Sequence, residues 1–544
     1  MDRPDPLEQD SLTPDRFGHC PALWLALPLL AGASLDAALD ATPGPWLAGG
    51  AIALLLAWVG GRFAGVTLFA LACAGIALGA AWHHLRTPPR EPLPLRRSFV
   101  ELPFRIERAT PRTGDEGWSG WGWVTERDDA LFRRRVAISA RGDCPPEGSE
   151  LMIAGGLAPL APEAGGYDAW LRSQGATFKL RGGRVLGVLA PASRFAGWRQ
   201  AQQARLEAWL RMLPWEDPAG GAMLAATMLG RTALLPADAK TAFAATGTLH
   251  LFAISGLHIA GMAAVLLWCA RRIRLPDLPA GLVILALLWL YVQVTGASPS
   301  SARAWTMAAF LWGGRVGGRA TPALQSLALA CAVTLIMEPG ACADAGFQLS
   351  YATVLGIIVA GGPAARLATE PNPEERLTPA PTRSAALRVR ARARAFVLGG
   401  LAISAAATLA GAPLALGLFG TASWGGVIIN LILVPLSEIP LLLGMASVAL
   451  SPCDWLAAPA SWLNGAAALV LRAMGWLAEA GAMVPGIQLE LALPHRWLGP
   501  LGGALLATVF LAQAQARRVR RLLGVPAAVF MAWLLVVLFW RATS

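Results

Sequence analysis

Two histidines and a serine fall within nine residues, His250 to His258 (HLFAISGLH), inside an apolar run from near Phe243 to Cys269. Ionisable groups at bilayer depth are costly, so such residues face a bundle interior or an aqueous path. Three chemistries fit the residue types. Ser255 and His258, three apart on one helix face, have the types of a nucleophile and its base. A pair that close leaves little room for substrate, no third orienting residue is evident, and the base would have to come from His250 or His495 on another element. His250 and His258 have the types of metal ligands, but eight residues of ideal helix rise about 12 Å, too far for shared ligation unless the chain breaks at Gly256. No HExxH motif is present. The third chemistry is a polar lining for a passage, with Gly256 beside Ser255 weakening helix continuity. The expectation is no catalytic residue, no metal and no cofactor.

Composition says what must hold these residues. The 544 residues are 55% hydrophobic, with a mean hydropathy of +0.51, which places the chain among polytopic α-helical membrane proteins with some soluble mass attached. The net charge of +11 is almost wholly arginine, since Lys179 and Lys240 are the only lysines. With the abundant Ala, Gly and Pro this reads as coding bias, and carries little weight for nucleic acid. Seven cysteines form no CxxC pair. Only Cys144 lies in the polar region, which therefore has no internal disulfide. The acidic, proline-containing leader is not that of a cleavable signal peptide.

In order, residues 1–87 hold three apolar runs, Pro21–Ala38, Trp46–Val59 and Phe63–Trp82. His83-His84 follows; adjacent side chains point about 100° apart on a helix, so interfacial anchoring is favoured over a metal site. Residues 88–191 change character. Val100, Leu102, Phe104 and Ile106 alternate with polar residues, and Trp121–Val124, Val136–Ala140, Leu151–Ala154, Thr177–Leu180 and Val185–Leu189 read as further short strands. Five or six strands in about a hundred residues predict an inserted small β-barrel, and an OB-like fold fits. Trp121 and Trp123 share a strand face, and Arg133, Arg134 and Arg135 add charge. These are a candidate single-strand contact, against the plainer reading of core tryptophans and a solvated arginine edge. Residues 192–217 form an amphipathic helix that either lies in the membrane interface or docks on the barrel. Residues 218–544 hold the remaining apolar runs and two arginine-rich stretches, Arg388–Arg394 and Arg517–Arg521.

Five pieces of the chain resemble the ComEC family of competence proteins: GTLHLFAISGLHI (Gly247–Ile259), GGYDAWLRSQGA (Gly165–Ala176), SSARAWTMAAF around Arg303, DAGFQLSYA (Asp344–Ala352) and APLALGLFG…NLILVPL with Pro413, Asn430 and Pro435. LGRTALLP (Leu229–Pro236) resembles the family's approach to the first. The resemblance implies an inner-membrane channel passing one strand of transforming DNA to the cytoplasm. His250, Ser255, Gly256, His258, Arg303, Asp344, Gln348 and Asn430 would line or shape its path. Arg303 either meets phosphate or pairs with Asp344 or a helix end. Glu438 is an intramembrane acid outside these pieces. A small-molecule transporter is the competing reading, and an intramembrane hydrolase using Ser255 and His258 a remote one.

The resemblance departs at the C-terminus, where family members commonly carry a metallo-β-lactamase-like domain. Such a domain needs a His- and Asp-rich cluster for metal, and after Asn430 the sequence has one histidine, His495, so nuclease activity is not expected of this polypeptide and a separate nuclease would be needed. No P-loop is present, so a cytoplasmic ATPase or strand-binding protein would pull the DNA and a periplasmic receptor would deliver it. Membrane lipid is the surrounding partner, and the sequence does not specify an oligomeric state. With the arginine-rich stretches inside and three crossings before it, the β domain is expected in the periplasm. Arg86, Arg90, Arg96 and Arg97, just beyond the third crossing, run against this scheme.

Overall fold

The structure, a computed structural model, describes residues 20–39, 42–59, 64–87, 99–111, 117–127, 129, 131–132, 134–160, 168, 171, 175–319, 321–370, 384–495, 497–515 and 523–543. The first apolar runs form helices α1 (Leu23–Leu39), α2 (Pro43–Val59) and α3 (Ala64–Arg86). Backbones of α1 and α3 touch: a Cβ on Gly79 would lie 2.5 Å from the Leu29 carbonyl oxygen, so only glycine permits this approach. Just below the end of α3, His83 Nδ1 meets Asp36 Oδ2 at 2.8 Å, and both residues are buried. Trp46 Nε1 donates to the other Asp36 oxygen at 3.0 Å. The expected interfacial anchor is thus corrected for His83, whose ring is consumed by a buried carboxylate on the neighbouring helix.

The polar region closes into a five-stranded barrel of β1 (Phe99–Pro111), β2 (Gly117–Val124), β3 (Arg135–Arg141), β4 (Glu150–Pro159) and β5 (Ala176–Ala190). Its order is β1-β2-β3-β5-β4, with β3 and β5 parallel and the other pairs antiparallel. This is an OB-like barrel. Thr177–Leu180 and Val185–Leu189 are one strand, not two. Gly182, at φ +62°, bends β5 rather than ending it, and register shifts against β3 and β4 absorb the bend. Phe104, Ile106, Trp118, Val136, Ile153 and Leu180 fill the interior.

Ser193 caps helix α4 (Arg194–Leu210), accepting the Ala196 N–H. Arg199 pairs with Glu147 and Gln200 Nε2 donates to the Cys144 carbonyl, both on the barrel. One turn on, Gln203 donates to the Val294 carbonyl, Arg205 to that of Ser451 at 2.8 Å, and Trp209 Nε1 to Ser447. The helix joins barrel and membrane bundle.

The bundle comprises α5 (Pro218–Leu229), α6 (Ala237–Ala245), α7 (Gly256–Arg272), α8 (Asp277–Val294), α9 (Pro299–Val316), α10 (Ala323–Met337), α11 (Ala345–Gly356), α12 (Gly362–Ala368), α13 (Ala385–Phe419), α14 (Gly426–Leu450), α15 (Ala457–Ala482), α16 (Leu498–Gln515) and α17 (Gly524–Thr543). Among the described residues, six stretches are long and apolar enough to cross a membrane, including Ala345–Arg366, where a π-helical turn joins α11 to α12. The chain is a multi-pass membrane protein. One core, with Leu224, Phe243, Phe252, Leu433, Leu471 and Met474, locks α5 and α6 against α14 and α15.

Candidate functional site

The stretch that opens the sequence reading is no continuous helix. Helix α6 ends at Ala245, and Gly247 turns the chain away at φ +70°. The Thr246 and Thr248 hydroxyls bond each other at 2.7 Å and reach back to the Ala242 and Phe243 carbonyls, satisfying the helix end. A 3₁₀ turn, Leu249–Phe252, follows. Phe252 is held edge-on to Phe243, centroids 4.7 Å apart.

Helix α7 then starts on a capping box. Ser255 Oγ accepts the His258 N–H at 3.4 Å, and His258 Nδ1 accepts the Ser255 N–H at 3.2 Å. A histidine therefore fills the place usually taken by Glu or Gln. The break precedes Gly256, which is the first residue of α7 and no interruption within it. The box also directs both groups to backbone: Ser255 Oγ makes no hydrogen bond to the imidazole, so the nucleophile–base pairing is not formed. His258 is buried, whereas His250 is exposed although protein crowds it on most sides, and its Nδ1 donates to the Gly247 carbonyl at 3.0 Å.

Arg303 lies across from this cap. A Cβ on Gly256 would stand 3.7 Å from Arg303 Nη2. Arg303 Nε donates to Ser350 Oγ at 2.9 Å, Nη1 points at Met307 Sδ at 3.4 Å, and the guanidinium lies over the Tyr351 ring, 5.8 Å from its centroid. It is 4% exposed and forms no ion pair among the described residues. The expected alternative, pairing with Asp344, is corrected: Asp344 instead caps α11, Oδ1 accepting the Phe347 N–H at 2.9 Å. Gln348 Nε2 donates to the Cys342 carbonyl, while its Oε1 is buried without a hydrogen bond. Three of the five motif pieces thus meet around one guanidinium.

Asn430 stands on the other side of the loop. Its Nδ2 reaches Ser404 Oγ at 3.5 Å, and its Oδ1 is buried and unbonded. One turn earlier, Gly426 faces Thr246: a Cβ there would be 3.1 Å from the Thr246 carbonyl oxygen. Further along α14, Glu438 Oε2 would meet a Cβ on Gly261 at 2.9 Å. The loop and α7 are held between α9 and α14. Asn430 itself does not join the Arg303 cluster.

On the barrel, Trp118 fills the interior, whereas Trp121 is buried from the outer side and Trp123 is half-buried. Trp121 and Trp123 share the outer face, where Arg135 stacks on both, at 5.7 and 5.2 Å, and Arg108 covers Trp121 at 6.0 Å. Arg135 is also held by Glu107, and Arg134 is buried rather than on a solvated edge. Arg133 and most of Gly165–Ala176 lie outside the described residues. The covered end of this face meets the bundle: Arg108 Nη2 lies 4.0 Å from a Cβ position on Gly296, between α8 and α9. Glu338, at the end of α10, sits in the field of Glu107, Arg135 and Arg108. Glu338 is exposed at its edge, yet the protein packed around it, reinforced by Glu107, raises its carboxyl above the usual range against the pull of Arg135. Arg108, Glu338, Tyr351 and Gly261 escaped the sequence reading. Each belongs to a run whose residue type is ordinary locally, and only the packing of distant elements singles it out.

A family model described as Competence protein matches residues 227–516, more than half of the chain. ComE operon protein 3 of Bacillus subtilis (strain 168) is 37% identical over 123 residues, 22% of this chain and 16% of that protein. Competence protein ComA of Neisseria gonorrhoeae is 30% identical over 194 residues, 33% of this chain and 26% of that protein. The matched part thus spans about a sixth to a quarter of these relatives' length. No solved structure matches the chain.

Proposed function

Because the chain belongs to the competence-protein family, we propose that it carries transforming DNA, as a single strand, across the inner membrane. The observation that carries this reading is Arg303, a buried guanidinium with no carboxylate partner among the described residues, set where the loop, α9 and α11 meet. An unneutralised buried cation is expensive, and a phosphate oxygen passing beside it supplies the missing anion transiently. His250 and Gln348 add polar groups on the elements around it, and Asn430 adds one on the far side of the loop. Ser255, Gly256, His258 and Asp344 serve the path by shaping it, since their polar groups or positions form helix starts. Movement of the strand is powered by a partner ATPase or strand-binding protein, and delivery comes from a periplasmic receptor. The role is transport and not hydrolysis, with any strand degradation left to a separate nuclease.

Transformation frequency measured beside membrane abundance tests the proposal. Arg303→Gln and His250→Leu are expected to lower transformation by an order of magnitude or more while leaving abundance near wild type. Normal transformation by Arg303→Gln at normal abundance removes Arg303 from the path.

A further inference from the structure

Beyond its bend, β5 carries large apolar side chains on the outside of the barrel. Leu186, Val188 and Leu189 are exposed, Val188 at 65% and Leu189 at 53%. Alternation along a strand would turn one of two neighbours inward. Here the register slips: Leu151 stands opposite Val188 and Glu150 opposite Ala190, so Leu189 is an extra residue and both neighbours face out. Only Pro191, Ala192 and Ser193 separate the strand from α4, whose first turn exposes Phe195 and Trp198. Two apolar stretches thus adjoin on the surface of the polar domain. Exposed apolar side chains gathered in this way mark a surface that something else covers.

Helix α8 sets the level at which this surface lies. Asp277–Val294 has 18 residues and is one of the stretches able to cross a membrane. It is about 27 Å long at the usual rise, close to the thickness of the hydrocarbon core, so every turn is needed to cross. Trp289 precedes the end at Val294 by five residues, which puts it about 7 Å inside that end. Phe195 stacks on Trp289, with 5.9 Å between ring centroids and 21° between planes, and Trp198 stacks on Phe195 at 5.8 Å. Further along α4, Gln203 bonds the Val294 carbonyl. The middle of α4 therefore meets the end of α8, and its first turn lies deeper, beside Trp289. The short link at Pro191–Ser193 draws the end of β5 toward the same boundary.

Two features point to phospholipid as the occupant. Leu278, Leu282, Ala286 and Trp289 form an exposed stripe at helical spacing along α8, and the Phe195–Trp198 pair continues it. Exposed Arg184 and Arg194 bracket the apolar residues in sequence, supplying cations where headgroup phosphates lie.

We propose that the barrel dips into the membrane, with Leu186, Val188, Leu189, Phe195 and Trp198 among the acyl chains of the barrel-side leaflet and Arg184 and Arg194 at its phosphates. Helix α4 then has two faces in use. Arg199 and Gln200 hold the barrel, while Phe195 and Trp198 hold lipid. The inference needs only that the chain is a multi-pass membrane protein, and it stands whatever the bundle transports.

The test uses the full chain in nanodiscs of phosphatidylethanolamine and phosphatidylglycerol. Photoreactive p-benzoylphenylalanine replaces Leu189, Phe195, Trp289 or Arg181, one at a time; Arg181 lies toward the other end of β5. After irradiation, mass spectrometry reads the phospholipid adduct at each position. Leu189 and Phe195 are expected to match the yield at Trp289, and Arg181, standing in water, to give about ten-fold less. Adducts at Trp289 alone overturn the immersion, as does equal yield at every position, which would mark unselective capture. No adduct at Trp289 removes the lipid-facing stripe and the proposal with it. A cross-link from Leu189 or Phe195 to a second copy of the chain gives the surface to self-association instead. Where a substituted protein melts early, exposed Leu186 or Val188 takes its place, with the same expected yield.

Discussion

At the scale of single residues, the polar groups of the motif divide into those that build helix starts and those left with spare capacity. Ser255 belongs to the first kind. Ser255→Ala should cost about 1 kcal/mol, the usual worth of an N-cap, seen as lower thermal stability in detergent. His258→Gln should keep that stability, because Gln at the third helical position completes a capping box. A His258→Gln protein as unstable as Ser255→Ala would show that the imidazole does something other than cap. Cys144 offers an independent check of the barrel–α4 contact. Burial pushes its thiol up to about 11, with Arg231 opposing and Glu147 reinforcing the shift. At pH 8 only about one thiol in a thousand would then be thiolate, the reactive form. Iodoacetamide should leave Cys144 unmodified in the folded protein and label it after denaturation, as read by peptide mass. Rapid labelling at pH 8 without unfolding would mean that α4 does not cover this loop.

The elements that matter most are connectors. Helix α4 bonds to the barrel through Arg199 and Gln200, and to the bundle through Gln203, Arg205 and Trp209. The end of α10 forms the other junction, where Glu338 faces Glu107, Arg135 and Arg108. A carboxyl raised in the folded state favours folding below its unfolded value and loses that contribution as pH rises through the folded value. Charging Glu338 therefore works against the junction, an effect softened by the side chain's exposure to solvent. Glu338→Gln should raise the melting temperature at pH 7.5, and the gain should shrink as pH falls into the carboxyl range. A gain that persists unchanged in acid would assign the effect to packing instead. Arg199→Ala should loosen the opposite junction, read as faster proteolysis between barrel and bundle.

For the molecule as a whole, the arginine-rich stretch that opens α13, Arg388 to Arg394, points inward by the positive-inside rule. The barrel is then expected on the periplasmic side. A reporter enzyme active only in the cytoplasm, inserted at about residue 165, should be silent, while alkaline phosphatase there should be active. The opposite pattern would invert the molecule.

Much of this was legible in the residues alone. Long apolar runs must be helices in a bilayer, because no other open structure satisfies its backbone there. Strict alternation from Val100 to Ile106 had to be strand. The motif pieces likewise stood out, since polar residues in apolar runs are rare and costly, and three of them meet around Arg303. What the residues could not reveal was pairing across distance. Nothing near Asp36 announces His83, nothing near Arg303 distinguishes Ser350 from Asp344 as its partner, and nothing near Gly261 announces Glu438. Nor does local pattern tell that Trp118 fills the barrel while Trp121 and Trp123 stand outside it, because the parity of a strand is set by which face finds a core. Local sequence determined the elements and their polarity. Only the tertiary structure decided which polar groups were spent on one another and which, like the Arg303 guanidinium, found no carboxylate among the described residues.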